Sequence, residues 1–213
     1  VTKILVVDDH AIVRKGVIRT LEEIHSIGAV CDEASTARDA EEKIATGMYG
    51  LVLLDISVPG GNGLELLKKL HKQQPKVPIM ILSMFPEDQY AIRALTLGAV
   101  GYLTKENAPE ELVEAVIKVL SGGRYVSSYL ADRFAAHLAM GVNTKALPHE
   151  RLSDREFQIL RMIGEGQSPT QIASALYISA KTVSTYRSKI LQKMELRNNA
   201  ELINYVIKNN LIT

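Results

Sequence analysis

The segment Leu51-Val52-Leu53-Leu54-Asp55-Ile56-Ser57-Val58-Pro59-Gly60 decides the fold. Four apolar residues in a row end on a carboxylate, and a Pro-Gly pair breaks the chain soon after. A run this short, with no helical period, reads as a strand buried on both faces. Three other runs have the same form. Lys3-Ile4-Leu5-Val6-Val7 ends on Asp8 and Asp9, Ile79-Met80-Ile81-Leu82 on Ser83, and Val100-Gly101-Tyr102-Leu103-Thr104 on Lys105. Amphipathic helix patterns separate them, as in a parallel α/β sheet. Ligands of such sheets bind beyond the carboxyl ends of the strands. Three carboxylates, a hydroxyl and an ammonium should therefore meet on one rim. Oxygen donors of this kind suit a divalent cation, and the remaining groups suit a phosphoryl group.

The sequence on either side of this segment predicts five strand–helix units. Helices are expected at 10–26, 36–45, 64–73, 87–97 and 109–121, with a second strand at 29–34. Val13, Val17, Leu21 and Ile24 mark the buried face of the first helix, and Gly47 is expected to stop the second. Pro109 suits a first helical turn. This is a (βα)5 doubly wound domain over 1–122. A helix at 127–140 and a polar stretch ending Ala146-Leu147-Pro148 form a linker over 123–147. The remainder, 148–213, reads as a small all-α domain with helices at 153–164, 168–177, 179–194 and 198–209. Ser153 with Glu156 makes a capping box. Ser168 and Ser179 cap the next two helices.

Charge divides along the same line. Residues 1–144 hold 15 Lys and Arg against 18 Asp and Glu, whereas 145–213 hold 10 against 6. An acidic front and a basic back predict two domains with different partners. No apolar run reaches the roughly 18 residues of a membrane span, and no secretory signal is visible. The single Cys31 has no internal disulfide partner and reads as a small buried hydrophobe. A cytoplasmic protein without a membrane partner is expected.

The strand-end residues carry a family resemblance. Val6-Val7-Asp8-Asp9-His10, Leu53-Leu54-Asp55-Ile56-Ser57-Val58-Pro59-Gly60, Leu82-Ser83 and Gly101-Tyr102-Leu103-Thr104-Lys105 resemble the receiver domain of two-component response regulators over about 1–121. The resemblance implies a flavodoxin-like fold with Asp55 as phosphoacceptor. It implies Mg2+ held by Asp9, Asp55 and the backbone carbonyl of Ser57, with Asp8 acting through water. Ser83 and Lys105 would contact the phosphoryl oxygens, and Tyr102 would rotate inward as a switch. The phosphoryl donor would be a sensor histidine kinase. The resemblance also implies that the positions of Ser57 and Phe85 influence access of water; Phe85 is expected to shield the acyl phosphate, with packing on the fourth helix as its alternative. Glu106 stands where many receivers have Pro. A phosphatase of the haloacid dehalogenase type also uses an Asp after a strand. It needs a second Asp two residues on, where this chain has Ser57, so no enzymatic turnover is expected.

The helix expected at 179–194 carries four basic residues and no acid. Val183, Tyr186, Ile190, Leu191 and Met194 share one side, and Lys181, Ser184, Thr185, Ser188 and Gln192 the other. A tight turn precedes it, so the pair is a helix-turn-helix candidate. Leu152-Ser153-Asp154-Arg155-Glu156, Gly166-Gln167-Ser168, Gln171-Ile172-Ala173, Lys181-Thr182-Val183 and Lys193-Met194 resemble the LuxR-type helix-turn-helix. The whole chain resembles a response regulator of the NarL/FixJ family. By position, Ser184, Thr185 and Ser188 would face base edges. Lys181, Thr182, Arg187 and Lys189 complete the expected DNA-binding set, with the basic residues at phosphates. Arg187 lies near the apolar side and has an acid inside the domain as its alternative partner. The family often has Lys where Ser184 stands, and Asn-Lys where Pro169-Thr170 stand. Promoter DNA is the implied partner, bound as a homodimer once phosphorylated.

Overall fold

The computed structural model describes residues 1–25, 28–59, 63–85, 87–128, 130–132, 135, 147–209 and 211–212. The chain divides into two compact units, Val1–His137 and Leu138–Thr213. The first unit carries β1 (Thr2–Val7), α1 (Ala11–Glu22), β2 (Ala29–Ala34), α2 (Ala37–Thr46) and β3 (Leu51–Leu54). These are followed by α3 (Gly63–Gln73), β4 (Ile79–Ser83), α4 (Glu87–Thr96), β5 (Gly101–Thr104) and α5 (Ala108–Leu120). The strands form one parallel sheet in the order β2-β1-β3-β4-β5. The order reverses at β1 and β3, which lie side by side with Val7 opposite Leu54. The crevice beyond their carboxyl ends is therefore the topological switch point.

The unpatterned apolar runs are explained by burial on both faces. Leu51, Val52, Leu53 and Leu54 are each at most 1% exposed. Ile4, Val6, Leu51, Leu53, Met80, Leu82 and Leu103 pack with Val17 and Leu21 of α1 and Leu112, Val116 and Val119 of α5. The alternate residues turn to the opposite face, because side chains alternate along a strand. Cys31 is half-buried against the same core, and burial pushes its thiol up to about 11. It is an inert packing group.

The first helix ends at Glu22, short of the expected 26. Ile24 folds back, its amide donating to the Leu21 carbonyl, and packs on the core. Gly47 does follow α2, but not in a left-handed conformation; its φ is −103°. A Cβ there would lie 2.6 Å from the Tyr49 ring, so glycine is needed for close packing. Past α5, Tyr125 pairs with Gly101 and extends the β5 edge of the sheet. The helix expected at 127–140 is seen only in part, and most of the linker lies outside the described residues.

Among the described residues of the second unit, the first element is a 3-10 turn, Pro148–Arg151, that the sequence pattern did not predict. Then come α6 (Asp154–Gly164), α7 (Pro169–Ala175), α8 (Ala180–Lys193) and α9 (Asn199–Lys208). Capping boxes at Ser153 and Ser168 open α6 and α7, and Ser179 caps α8. Phe157, Ile159, Leu160, Ile172, Val183, Ile190, Leu202 and Val206 form its core. The α7–α8 turn passes through Tyr177 at φ +53°. That left-handed step is unusual for a residue with a side chain.

Candidate phosphoryl site and DNA-facing helix

Backbone pairing delivers the polar residues to one rim. The Asp8 amide donates to the Ala34 carbonyl, the Asp55 amide to Val7 and the Lys105 amide to Ser83. Each residue is thus the first beyond its strand yet still held by the ladder. Asp8 and Asp55 are 2% exposed and Ser83 is fully buried. Asp9 is exposed at the lip. Ligand atoms of Asp8, Asp9, His10 and Asp55 all lie within 4.8 Å of one another.

Lys105 Nζ stands 2.6 Å from Asp55 Oδ2 and 2.7 Å from Asp8 Oδ2. Burial pulls its ammonium down, but the Asp55 and Asp8 charges outweigh that and hold it above the usual lysine range. Burial raises the Asp55 carboxyl above its ordinary value, against the opposing pull of Lys105 and the Ser57 amide. That amide donates to Asp55 Oδ1 over 3.1 Å and fixes the carboxylate plane. One ammonium stands among three carboxylates, so negative charge remains in excess. Such a set suits a hard divalent cation, which prefers carboxylate oxygen and retained water.

Local packing explains how the loop reaches the site. The Gly63 amide donates to the Ile56 carbonyl, and a Cβ on Gly63 would lie 2.4 Å from the Ile56 Cα. Only glycine lets α3 begin directly against the loop after Asp55. Sequence reading missed Arg14, whose guanidinium donates to the Asp8 carbonyl at 2.6 Å and to Glu33 at 2.7 Å. It also missed His10, whose Nδ1 is 2.8 Å from Asp9. The signal was available: His10 follows the acidic pair, and Arg14 lies one helical turn further on.

Tyr102 is fully buried, and its hydroxyl donates to the Phe85 carbonyl at 2.8 Å. The phenol is thus already inward. Burial raises its pKa, with a smaller opposing effect from the Ser83 hydroxyl. The Phe85 amide donates to Ser83 Oγ at 3.2 Å. Its ring stacks on Tyr90 of α4 with centroids 4.8 Å apart. Phe85 therefore meets α4, the packing role that competes with a shield over the acyl phosphate.

On α8, Lys181, Ser184, Thr185, Ser188 and Lys189 are exposed, while Val183 and Ile190 are buried. Thr182 is half-buried and bound into the cap, its hydroxyl 2.8 Å from that of Ser179. Arg187 Nε donates to Asn199 Oδ1 at 2.7 Å, so its partner in the domain is an amide and not an acid. Lys193 instead reaches inward to the buried Glu156 at 2.7 Å.

Comparison with known proteins agrees with this geometry. Residues 4–117 match the response regulator receiver domain, and residues 150–206 match the luxR family of bacterial regulatory proteins. Response regulator UvrY of Escherichia coli (strain K12) is 38% identical over 208 residues, covering 98% of this chain and 94% of the relative. RcsB of Salmonella typhimurium is a solved structural neighbour at TM-score 0.68 and 26% identity, covering 97% of each chain. RcsB of Salmonella enterica serovar Typhimurium, bound to the rprA promoter in the presence of phosphomimetic BeF3-, matches at TM-score 0.64 and 26% identity. That match covers 96% of this chain and 97% of the other. The chain belongs to the NarL/FixJ family of response regulators, which join a receiver to a LuxR-type helix-turn-helix. It is a two-component transcriptional regulator, with a sensor histidine kinase and promoter DNA as its partners.

Proposed function

We propose that Asp55 is the residue that accepts the phosphoryl group. The observation that carries this is its place: buried, within ligand distance of Asp8 and Asp9, and 2.6 Å from the Lys105 ammonium. A carboxylate oxygen of Asp55 attacks the phosphorus of a phosphohistidine on the kinase. The P–N bond breaks as the P–O bond forms, and the imidazole keeps the electron pair. Asp8, Asp9, Asp55 and the Ser57 carbonyl are the residues that would hold Mg2+, which supplies charge neutralisation for the transferring group. Lys105 exchanges its bond to Asp55 for one to a phosphoryl oxygen, and the Ser83 hydroxyl donates to another.

The readout passes through Ser83. Drawing its hydroxyl to the phosphoryl group breaks its bond with the Phe85 amide. The Phe85 carbonyl holds Tyr102, and its ring holds α4, so both respond. The receiver occupies 1–122, the linker 123–147 and the DNA-binding domain 148–213. Lys181, Arg187 and Lys189 meet phosphates, Ser184, Thr185 and Ser188 face bases, and Thr182 secures the helix start. The protein works as a homodimer on two half-sites, as helix-turn-helix proteins commonly do. A cytoplasmic site of action fits the lone half-buried thiol.

Intact mass after incubation with acetyl phosphate and Mg2+ tests the acceptor. The expected result is one phosphoryl increment on the parent and none on Asp55→Asn. Labelling of Asp55→Asn to the parental level overturns the assignment.

A further inference from the structure

The three hydroxyls on the outer face of α8 share one feature. Ser184 Oγ donates to the Ala180 carbonyl at 3.0 Å, Thr185 Oγ1 to Lys181 at 3.0 Å and Ser188 Oγ to Ser184 at 3.1 Å. A carbonyl oxygen has no proton, so in each bond the hydroxyl must be the donor. A Ser or Thr hydroxyl has one proton and two lone pairs. With all three protons committed to the helix backbone, the exposed oxygens present lone pairs outward. Ser184 and Ser188 lie one turn apart, and Thr185 stands beside them, so the acceptors form a continuous patch.

Resting on the reading of α8 as the recognition helix, we infer that this patch selects bases bearing a major-groove amino group, adenine or cytosine, on the contacted strand. In that groove, adenine N6 and cytosine N4 donate, whereas guanine presents only acceptors and thymine an acceptor beside its methyl group, so neither offers a donor. A guanine O6 or N7 facing the patch meets lone pairs against lone pairs. To donate instead, a hydroxyl must give up its backbone bond. The basic residues do not cancel this preference. Lys189 Nζ is drawn over the Tyr186 ring at 6.0 Å, and Arg187 is held by Asn199. Lys181 stands a turn earlier, at the start of the helix.

The test uses the full-length protein with Mg2+ and beryllofluoride and a random 20-base-pair duplex library. Recovered duplexes are then measured by fluorescence anisotropy. Adenine or cytosine is expected at the positions whose preference collapses in the Ser184→Ala/Ser188→Ala variant. Replacing one such adenine by purine, which lacks the amino group, should weaken parental binding by about three- to tenfold, as for one lost hydrogen bond. 7-Deazaadenine, which keeps the amino group, should be tolerated. The double variant should no longer distinguish adenine from purine, which controls for weakened base pairing. Ser184→Arg supplies donors and should move the choice toward guanine.

Guanine or thymine recovered at those positions, or discrimination retained by the double variant, overturns the inference and leaves α8 as the recognition helix. Failure of the charge-removing Lys181→Ala/Lys189→Ala variant to weaken binding, with the serines equally silent, overturns both readings.

Discussion

Asp55 sets the energetics of the metal-free site at the scale of one residue. Burial lifts its folded pKa above the ordinary 3.8 even with Lys105 beside it. The folded state therefore holds the Asp55 proton more tightly than the unfolded chain does. This contribution to stability falls as pH rises from the ordinary value through the raised one, and it is fully lost above that. Asp55→Asn should accordingly be more stable than the parent at neutral pH without metal, and the difference should shrink in acid. Urea denaturation from pH 4 to 7 checks this; a neutral-pH loss would mean the Lys105 bond dominates. Mg2+ at tenfold over its Kd should stabilise the parent by about 1.4 kcal/mol and Asp55→Asn by less. Tyr102→Phe removes the donor to the Phe85 carbonyl, at a cost of about 1 kcal/mol. It should also weaken any coupling between phosphorylation and DNA affinity.

At the scale of elements, two contacts hold the working parts in place. Glu156 caps α6 and anchors Lys193 of α8. Burial pushes its carboxyl up, but Lys193 and Ser153 outweigh that and hold it below the ordinary 4.5. Its stabilising contribution is present above that value and lost as pH falls through the lowered one. Glu156→Gln should destabilise the helical unit at neutral pH by about 1–2 kcal/mol and flatten its acid unfolding, read by circular dichroism. Gly63→Ala drives a Cβ into the Ile56 backbone and should destabilise the first unit by about 1–3 kcal/mol.

The sequence made the strands and caps legible because their signals are local. Buried parallel strands announce themselves as unbroken apolar runs, and Ser153, Ser168 and Ser179 sit directly before their helices. The early end of α1 was hidden, because it depends on Ile24 folding back onto the core that Val17 and Leu21 already share. The Tyr125 bridge to Gly101 is likewise tertiary. Phe85 carried two readings, and stacking on Tyr90 of α4 is decided by packing that no local pattern encodes. The donor state of the α8 hydroxyls needs side-chain geometry.

For the whole molecule, the acidic receiver and the basic helical unit form a chain with two chemistries and one direction of control. In the proposed mechanism, a phosphoryl group on Asp55 governs the grip of α8 on DNA. The direct measurement is anisotropy of the full-length protein on one selected duplex, with Mg2+ alone and with Mg2+ plus beryllofluoride. Beryllofluoride should tighten binding of the parent about tenfold or more, within the usual range of coupling free energies, and leave Asp55→Asn unchanged. Equal affinity of the parent in both conditions, or the same response in Asp55→Asn, would contradict it.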